Sequence, residues 1–342
     1  MSRSSSLSDA DAKIASAPAP VPVVPRSKFA EVLGQEQISH LVAGISGGVV
    51  STVVLHPLDL IKVRFAVNDG TSPHSAVVDR GLKYAFTHTW KEGGIRALYQ
   101  GVTPSILGSG TSWGIYFLIY NMTKDWMSTK ADGTAQELGP GQHMLAAANA
   151  GILTLIPTNP IWVVKTRMCL QYNKALDIPP EKQYKGMIDC FRKVYVHEGI
   201  KGLYKGFVPG MFGVSHGAVQ FMVYEQLKRF ANRQKKAGDE AKLGTFEYLS
   251  YAAISKLVAA TTTYPYQVVR ARIQDQHKHY NGIFDVIKRT WRREKLLGFY
   301  KGLMPYLLAV TPNVCLVFLT YEKLAPHPPA VPERVYAKDR EY

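Results

Sequence analysis

The chain predicts an all-α membrane protein of three tandem repeats of about 100 residues, enclosing a central cavity as a pseudo-three-fold barrel. Three observations carry that prediction. A proline-led cluster recurs as Pro57-Leu58-Asp59-Leu60-Ile61-Lys62-Val63-Arg64, Pro160-Ile161-Trp162-Val163-Val164-Lys165-Thr166-Arg167 and Pro265-Tyr266-Gln267-Val268-Val269-Arg270-Ala271-Arg272. A second phrase follows each cluster: Tyr99-Gln100-Gly101 with Pro104, Tyr204-Lys205-Gly206 with Pro209, and Tyr300-Lys301-Gly302 with Pro305. Helix-length segments flank both phrases in the same order every time. Self-similarity at a fixed period decides architecture before local propensity does.

Residues 1–35 form a Ser-, Ala- and Pro-rich tail, as in Ala17-Pro18-Ala19-Pro20, which cannot bury enough surface to order itself. Its bases Arg3, Lys13, Arg26 and Lys28 are mixed with Asp9 and Asp11, so a cleaved amphipathic presequence is not expected. The repeats follow at 36–129, 139–233 and 244–326, with a second tail at 327–342. In each repeat a long helix runs into the cluster, over 37–68, 140–171 and 246–275. Pro57, Pro160 and Pro265 fall inside these helices and should kink them, each freeing a carbonyl. A short amphipathic helix comes next, clearest after Gly186 and Gly282. A second long helix starts near Pro104, Pro209 or Pro305, where a missing N–H is harmless, and ends near Lys124, Lys228 or Lys323. That makes six spanning helices and three short ones. Helices of this length exceed a hydrocarbon core of about 30 Å and must tilt or kink. Gly44-x-x-x-Gly48 and Gly206-x-x-x-Gly210-x-x-Gly213 suit close helix packing.

Bulk composition alone would suggest an ordinary soluble protein, with a mean hydropathy of −0.08. A helix lining a watery cavity needs apolar residues only on its outer side, so its average falls while its periodicity persists. The net charge of +15 admits nucleic acid, anionic lipid or an anionic solute. No nucleic-acid motif contains the basic residues, which recur at equivalent positions, so solute and lipid are favoured and nucleic acid is not. Cys169, Cys190 and Cys315 share no close spacing, which argues against disulfides and against a metal site. No nucleophile–base pair or phosphate-cradling glycine loop suggests an enzyme, and a soluble repeat scaffold would need short capped helices. Lys256 lies three turns before Gln267 on one face, which points a costly intramembrane charge into the cavity.

The repeated clusters resemble those of the mitochondrial carrier family over roughly residues 36–326. The resemblance implies an inner-membrane, multi-pass, monomeric transporter without cofactor, alternating between two faces. It implies a ring of contacts on the matrix side, pairing Asp59 with Lys165, Trp162 with Arg270 by a cation–π contact, and Gln267 with Lys62 by a hydrogen bond. A poorer ring on the cytosolic side would pair Glu322 with Lys124 and Asn121 with Lys228, leaving Glu225 opposite Ala325. Such a gate should open easily.

Trp162 stands where most carriers have an acid. With Asn159 and Thr166 it is similar to the branch that moves folates, FAD, NAD and pyrimidine nucleotides, and further stretches are similar to its folate/FAD members. That likeness implies an anionic cargo with a flat ring, FAD or folate being cargo rather than cofactor. Phe212 and Gly213 occupy the family's mid-cavity position; Tyr116, Trp113, His216 and Gln220 are further candidates, with lipid anchoring or a neighbouring helix as the alternatives. Trp162 itself could stack on the cargo ring. The corresponding position on the sixth helix, usually Arg in folate/FAD carriers, is Ala309. Gly81, Gly186 and Gly282, with Gly101, Gly206 and Gly302, precede helix starts that suit cardiolipin phosphates, with Lys205 and Lys301 adding cations.

Overall fold

The computed structural model describes residues 35–71, 79–128, 138–171, 183–234 and 245–324. The expected tails, from residue 34 back and from 327 on, lie outside the described residues. The helices are α1 (Gln35–Val67), α2 (Leu82–Leu98), α3 (Val102–Ser128), α4 (Pro140–Cys169), α5 (Met187–Leu203), α6 (Phe207–Met211), α7 (Ser215–Gln234), α8 (Thr245–Gln274), α9 (Ile283–Glu294) and α10 (Leu303–Leu324). By contact the chain divides into two units. The opening of α1, up to Val42, belongs to one; the other, Ala43–Leu324, holds everything discussed below.

Each repeat supplies a long helix, a short one and a second long one. Successive repeats join through α3 along α4 and α7 along α8. The ring is closed by α10 against α1, where Asn313 Nδ2 donates to Ser51 Oγ at 2.5 Å. The close approach there is made by Gly47, not by Gly48: a Cβ on Gly47 would lie 3.0 Å from the Val317 carbonyl, while among the described residues nothing beyond the local backbone lies within 4 Å of one on Gly48. In the second repeat, a 3₁₀ turn at Phe212–Val214 interrupts the helix between α6 and α7. Gly213 sits there against Tyr266, whose hydroxyl would be 2.9 Å from an added Cβ. Gly206 and Gly210 leave similar room for Arg270.

Three small apolar clusters hold the end of the bundle that bears the short helices. They centre on Leu60, Ile61, Ala85 and Cys169, on Val164, Tyr184, Cys190, Val194 and Leu203, and on Ala66, Tyr264 and Val268. Elsewhere the long helices turn large apolar residues outward, among them Leu107, Leu118 and Met122. That surface suits a hydrocarbon surround rather than water. Among the described residues only Gly141–Cys169 is long and apolar enough to cross a membrane by composition. The other long helices carry polar residues toward the interior, so the six-span reading rests on the repeat.

The short helices break at one equivalent position in each repeat. Gly94 and Gly199 take φ of 62° and 66°, and Lys295, at the end of α9, takes 56°. With ψ of −147°, Lys295 occupies a region that only glycine adopts without strain. Lys295→Gly is therefore expected to stabilise the protein by about 1 kcal/mol. A thermal unfolding curve of the purified protein checks this; an unchanged or lower midpoint contradicts it.

Candidate functional site

A cavity of about 250 Å³ opens among α1, α3, α4, α8 and α10. Its lining includes Ser51, His56, Asp59 and Lys62 from α1, Ser105 and Ser109 from α3, and Lys165 from α4. Lys256 of α8 and Tyr306, Ala309 and Asn313 of α10 complete the wall. Three ammonium groups thus share this space with the single carboxylate of Asp59. Such a balance attracts an anion.

The floor of the cavity is the set of repeated clusters. Lys165 Nζ donates to Asp59 Oδ2 in a salt bridge between the first and second repeats. The other two expected contacts are replaced. The cation over the Trp162 ring is Lys165, 5.3 Å from its centroid. Arg270 donates instead to Asn159 Oδ1 at 3.2 Å and lies along the slot left by Gly206 and Gly210. Sequence spacing fixes the face that Arg270 occupies but not the direction a long side chain takes when glycine opens room beside it. Lys62 lies 4.0 Å over the ring of Tyr306, and the Tyr306 side chain also faces Gln267. Tyr306 therefore stands between the two residues expected to meet.

Other predicted residues separate into two groups. Lys256 lines the cavity beside Asp59, Lys62 and Lys165, and so does Ala309. Tyr116, Phe212, Gly213, His216 and Trp162 lie outside that lining. His216 Nδ1 meets Thr263 Oγ1 at 3.1 Å on the neighbouring helix. Thr263 gives its own proton to the Ala259 carbonyl at 2.7 Å, so His216 is the donor. Trp162 packs on α3, its ring 3.5 Å from where a Cβ on Gly108 would stand. Phe212 is exposed, at 64 %. Toward the far end, no ion pair joins Lys124, Glu225 or Lys228 to another side chain among the described residues, and Asn121 is exposed. The side chain of Glu322 lies outside them.

The strongest polar structures were not expected. In the third repeat Arg272, 2 % exposed, donates to both oxygens of Glu294 at 2.6 and 3.0 Å and to the carbonyls of Ala66 and Asn68. Lys301 adds a second cation to Glu294 at 2.7 Å. The second repeat copies this with Arg167, Glu198 and Lys205, where Lys205 meets Glu198 at 2.7 Å. Burial pushes the Glu198 carboxyl up, but the bonds from Arg167 and Lys205 outweigh it and hold it at about 2. In the first repeat an extra glycine, Gly93 beside Gly94, displaces the acid: Glu92 meets His88 at 3.5 Å. Arg64 turns instead to Gln100 Oε1 at 3.1 Å, Thr89 Oγ1 at 3.0 Å and the Cys169 carbonyl at 3.1 Å. In the sequence an acid stands six residues before the Tyr-x-Gly phrase in the second and third repeats, where the first has Gly93. These bonds also engage Lys205 and Lys301, which were expected to face lipid phosphate.

Three helix pairs closed around a cationic cavity, with an ion pair across its floor, define a repeat-built solute carrier. The chain belongs to the mitochondrial carrier protein family, whose family model matches residues 35–131, 136–235 and 241–327. It is 38% identical over 299 residues to folate transporter 1, chloroplastic, of Arabidopsis thaliana, a match covering 84% of this chain and 94% of that one. It is 36% identical over 287 residues to nicotinamide adenine dinucleotide transporter 1, chloroplastic, of the same plant, covering 82% and 88%. With the mitochondrial FAD carrier protein of Saccharomyces cerevisiae it shares 32% identity over 302 residues, covering 83% and 95%.

Proposed function

We propose that this protein carries folate or FAD, anionic solutes with a flat heteroaromatic ring, across the mitochondrial inner membrane by alternating access. The observation that carries the reading is the cavity itself, with Lys62, Lys165 and Lys256 around Asp59. Relatives named as folate and FAD transporters support the ring-bearing cargo. In this reading the protein is a monomer without cofactor, and its cargo is transported unchanged.

The mechanism follows from competition for one cation. With the cavity empty, Asp59 holds Lys165 and the floor is shut. An anionic cargo beside Lys256 offers Lys165 and Lys62 an alternative partner, which weakens the hold of Asp59. Cargo that contacts the lysines better in the open state shifts the population toward it. The far end, without an ion pair on Lys124, Glu225 or Lys228 among the described residues, supports a resting state open to the cytosol. Cardiolipin would sit at the starts of α2, α5 and α9, held chiefly by backbone N–H groups, since Lys205 and Lys301 are engaged by carboxylates.

An NAD or pyrimidine-nucleotide carrier is the second reading. Ala309, where folate/FAD carriers usually place an arginine, and the NAD-transporting relative favour it. Ligand-dependent melting separates the two. Cargo at 100 times its Kd stabilises the folded state by about 2.7 kcal/mol. Folate or FAD should raise the midpoint of the purified protein more than NAD or UTP at equal concentration; the reverse order establishes the second reading.

A further inference from the structure

One face of α3 carries an aromatic structure that the cation cavity does not use. Leu107, Leu118 and Met122 mark the outward side of α3, at 49, 59 and 63 % exposure. Tyr116 stands two and a half turns from Leu107, and so diametrically opposite that apolar stripe. It lies three turns beyond Ser105 and two beyond Ser109, the two residues by which α3 lines the cavity. Tyr116 therefore overlooks the same interior space, about 10 Å further along the helix than Ser109.

Its surroundings fix the ring. Tyr120 lies nearly parallel to it, centroids 6.1 Å apart at 12°. Tyr120 is held in turn by His143 of α4, through a 2.9 Å hydrogen bond between its hydroxyl and Nδ1 and a stacked contact. Trp113 and Phe117 brace Tyr116 from the side, edge-on at 86° and 72°. Tyr120 covers the end of the ring that faces away from the cavity. On the cavity side the next turn offers Ser112 beside Trp113. The Ser112 hydroxyl oxygen is buried and has no hydrogen-bond partner among the described residues. A braced aromatic face and an unused buried hydroxyl beneath it match a planar group with a polar edge.

We propose that Tyr116 and Ser112 form the ring subsite of the carrier, Tyr116 taking a flat heteroaromatic system on its cavity side with Ser112 close to the polar edge, while the anionic end of the same molecule reaches Lys256, Lys62 and Lys165. This deepens the cargo reading above and rests on it. The two subsites act as a ruler: a molecule that carries both a ring and an anion satisfies both, whereas a compact anion satisfies only the lysines. Ser112 distinguishes rings that carry N–H or C=O groups on their edge from purely apolar ones.

Riboflavin 5′-phosphate tests this directly, because its isoalloxazine fluorescence is quenched when stacked on a tyrosine. Titrating it into the purified wild-type protein should give saturable quenching. Tyr116→Leu should bind at least tenfold more weakly and lose the quenching, and Tyr116→Phe should keep both. Lys256→Ala should also bind more weakly, yet quench fully once saturated, since the ring still finds its place. Ser112→Ala, the mildest change, should weaken binding severalfold and covers the case in which Tyr116→Leu does not fold. Wild-type affinity and quenching in both Tyr116→Leu and Ser112→Ala overturn the subsite alone. If wild type binds neither this probe nor folate, the cargo reading itself falls, and the subsite with it.

Discussion

Replacing Glu294 by Gln is expected to cost the folded protein about 3–5 kcal/mol, because it leaves buried cations without their counter-charge. The Arg272 and Glu294 side chains are 2 % and 9 % exposed, and Lys301 shares the same carboxylate. A neutral amide can accept one of those bonds but cannot offset two positive groups. The damage should extend beyond α9, since Arg272 also ties the end of α1 through the carbonyls of Ala66 and Asn68. Glu198→Gln should cost less: its side chain is 30 % exposed, so water can solvate the cations that remain. Thermal or denaturant unfolding of both variants measures the order. A Glu294→Gln protein as stable as wild type would mean that the triad contributes nothing to the fold.

Lys256→Ala is expected to raise the transport KM at least tenfold with little loss of stability. Lys256 lines the cavity with Lys62 and Lys165, yet among the described residues it has no carboxylate partner such as Asp59 gives Lys165. An ammonium within a spanning helix is costly unless it serves cargo, so its removal should leave the fold intact or slightly stabilised. A rise in KM with kcat preserved identifies a residue that holds ground state and transition state equally. Lys256→Arg should recover most of the affinity by keeping the charge. Unchanged kinetics in Lys256→Ala would assign cargo binding elsewhere.

Much of this architecture is legible in the chain because the triple repeat constrains it. The proline clusters and Tyr-x-Gly phrases place the long helices within a few residues of where they lie, and the charge of Asp59 finds that of Lys165. What spacing does not settle is the direction of long side chains. Arg270 leaves Trp162 for Asn159 because Gly206 and Gly210 open a slot on the adjacent helix. Lys62 and Gln267 meet Tyr306 because a ring from α10 reaches between them. The break at Gly94 and Gly199 is hidden in the third repeat by Lys295, which adopts the same turn without being glycine. The Arg–Glu–Lys triads were missed for a different reason. Their members belong to separate helices, and only the fold shows that Arg272 and Glu294 share one buried site.

The most direct measurement is uptake into liposomes containing the purified protein, with labelled folate, FAD, NAD and UTP compared under one gradient. The account predicts saturable uptake of folate or FAD, inhibited by unlabelled flavin nucleotide and reduced in Lys256→Ala. Uptake of NAD or UTP in preference to both, or uptake of all four insensitive to Lys256, would contradict it.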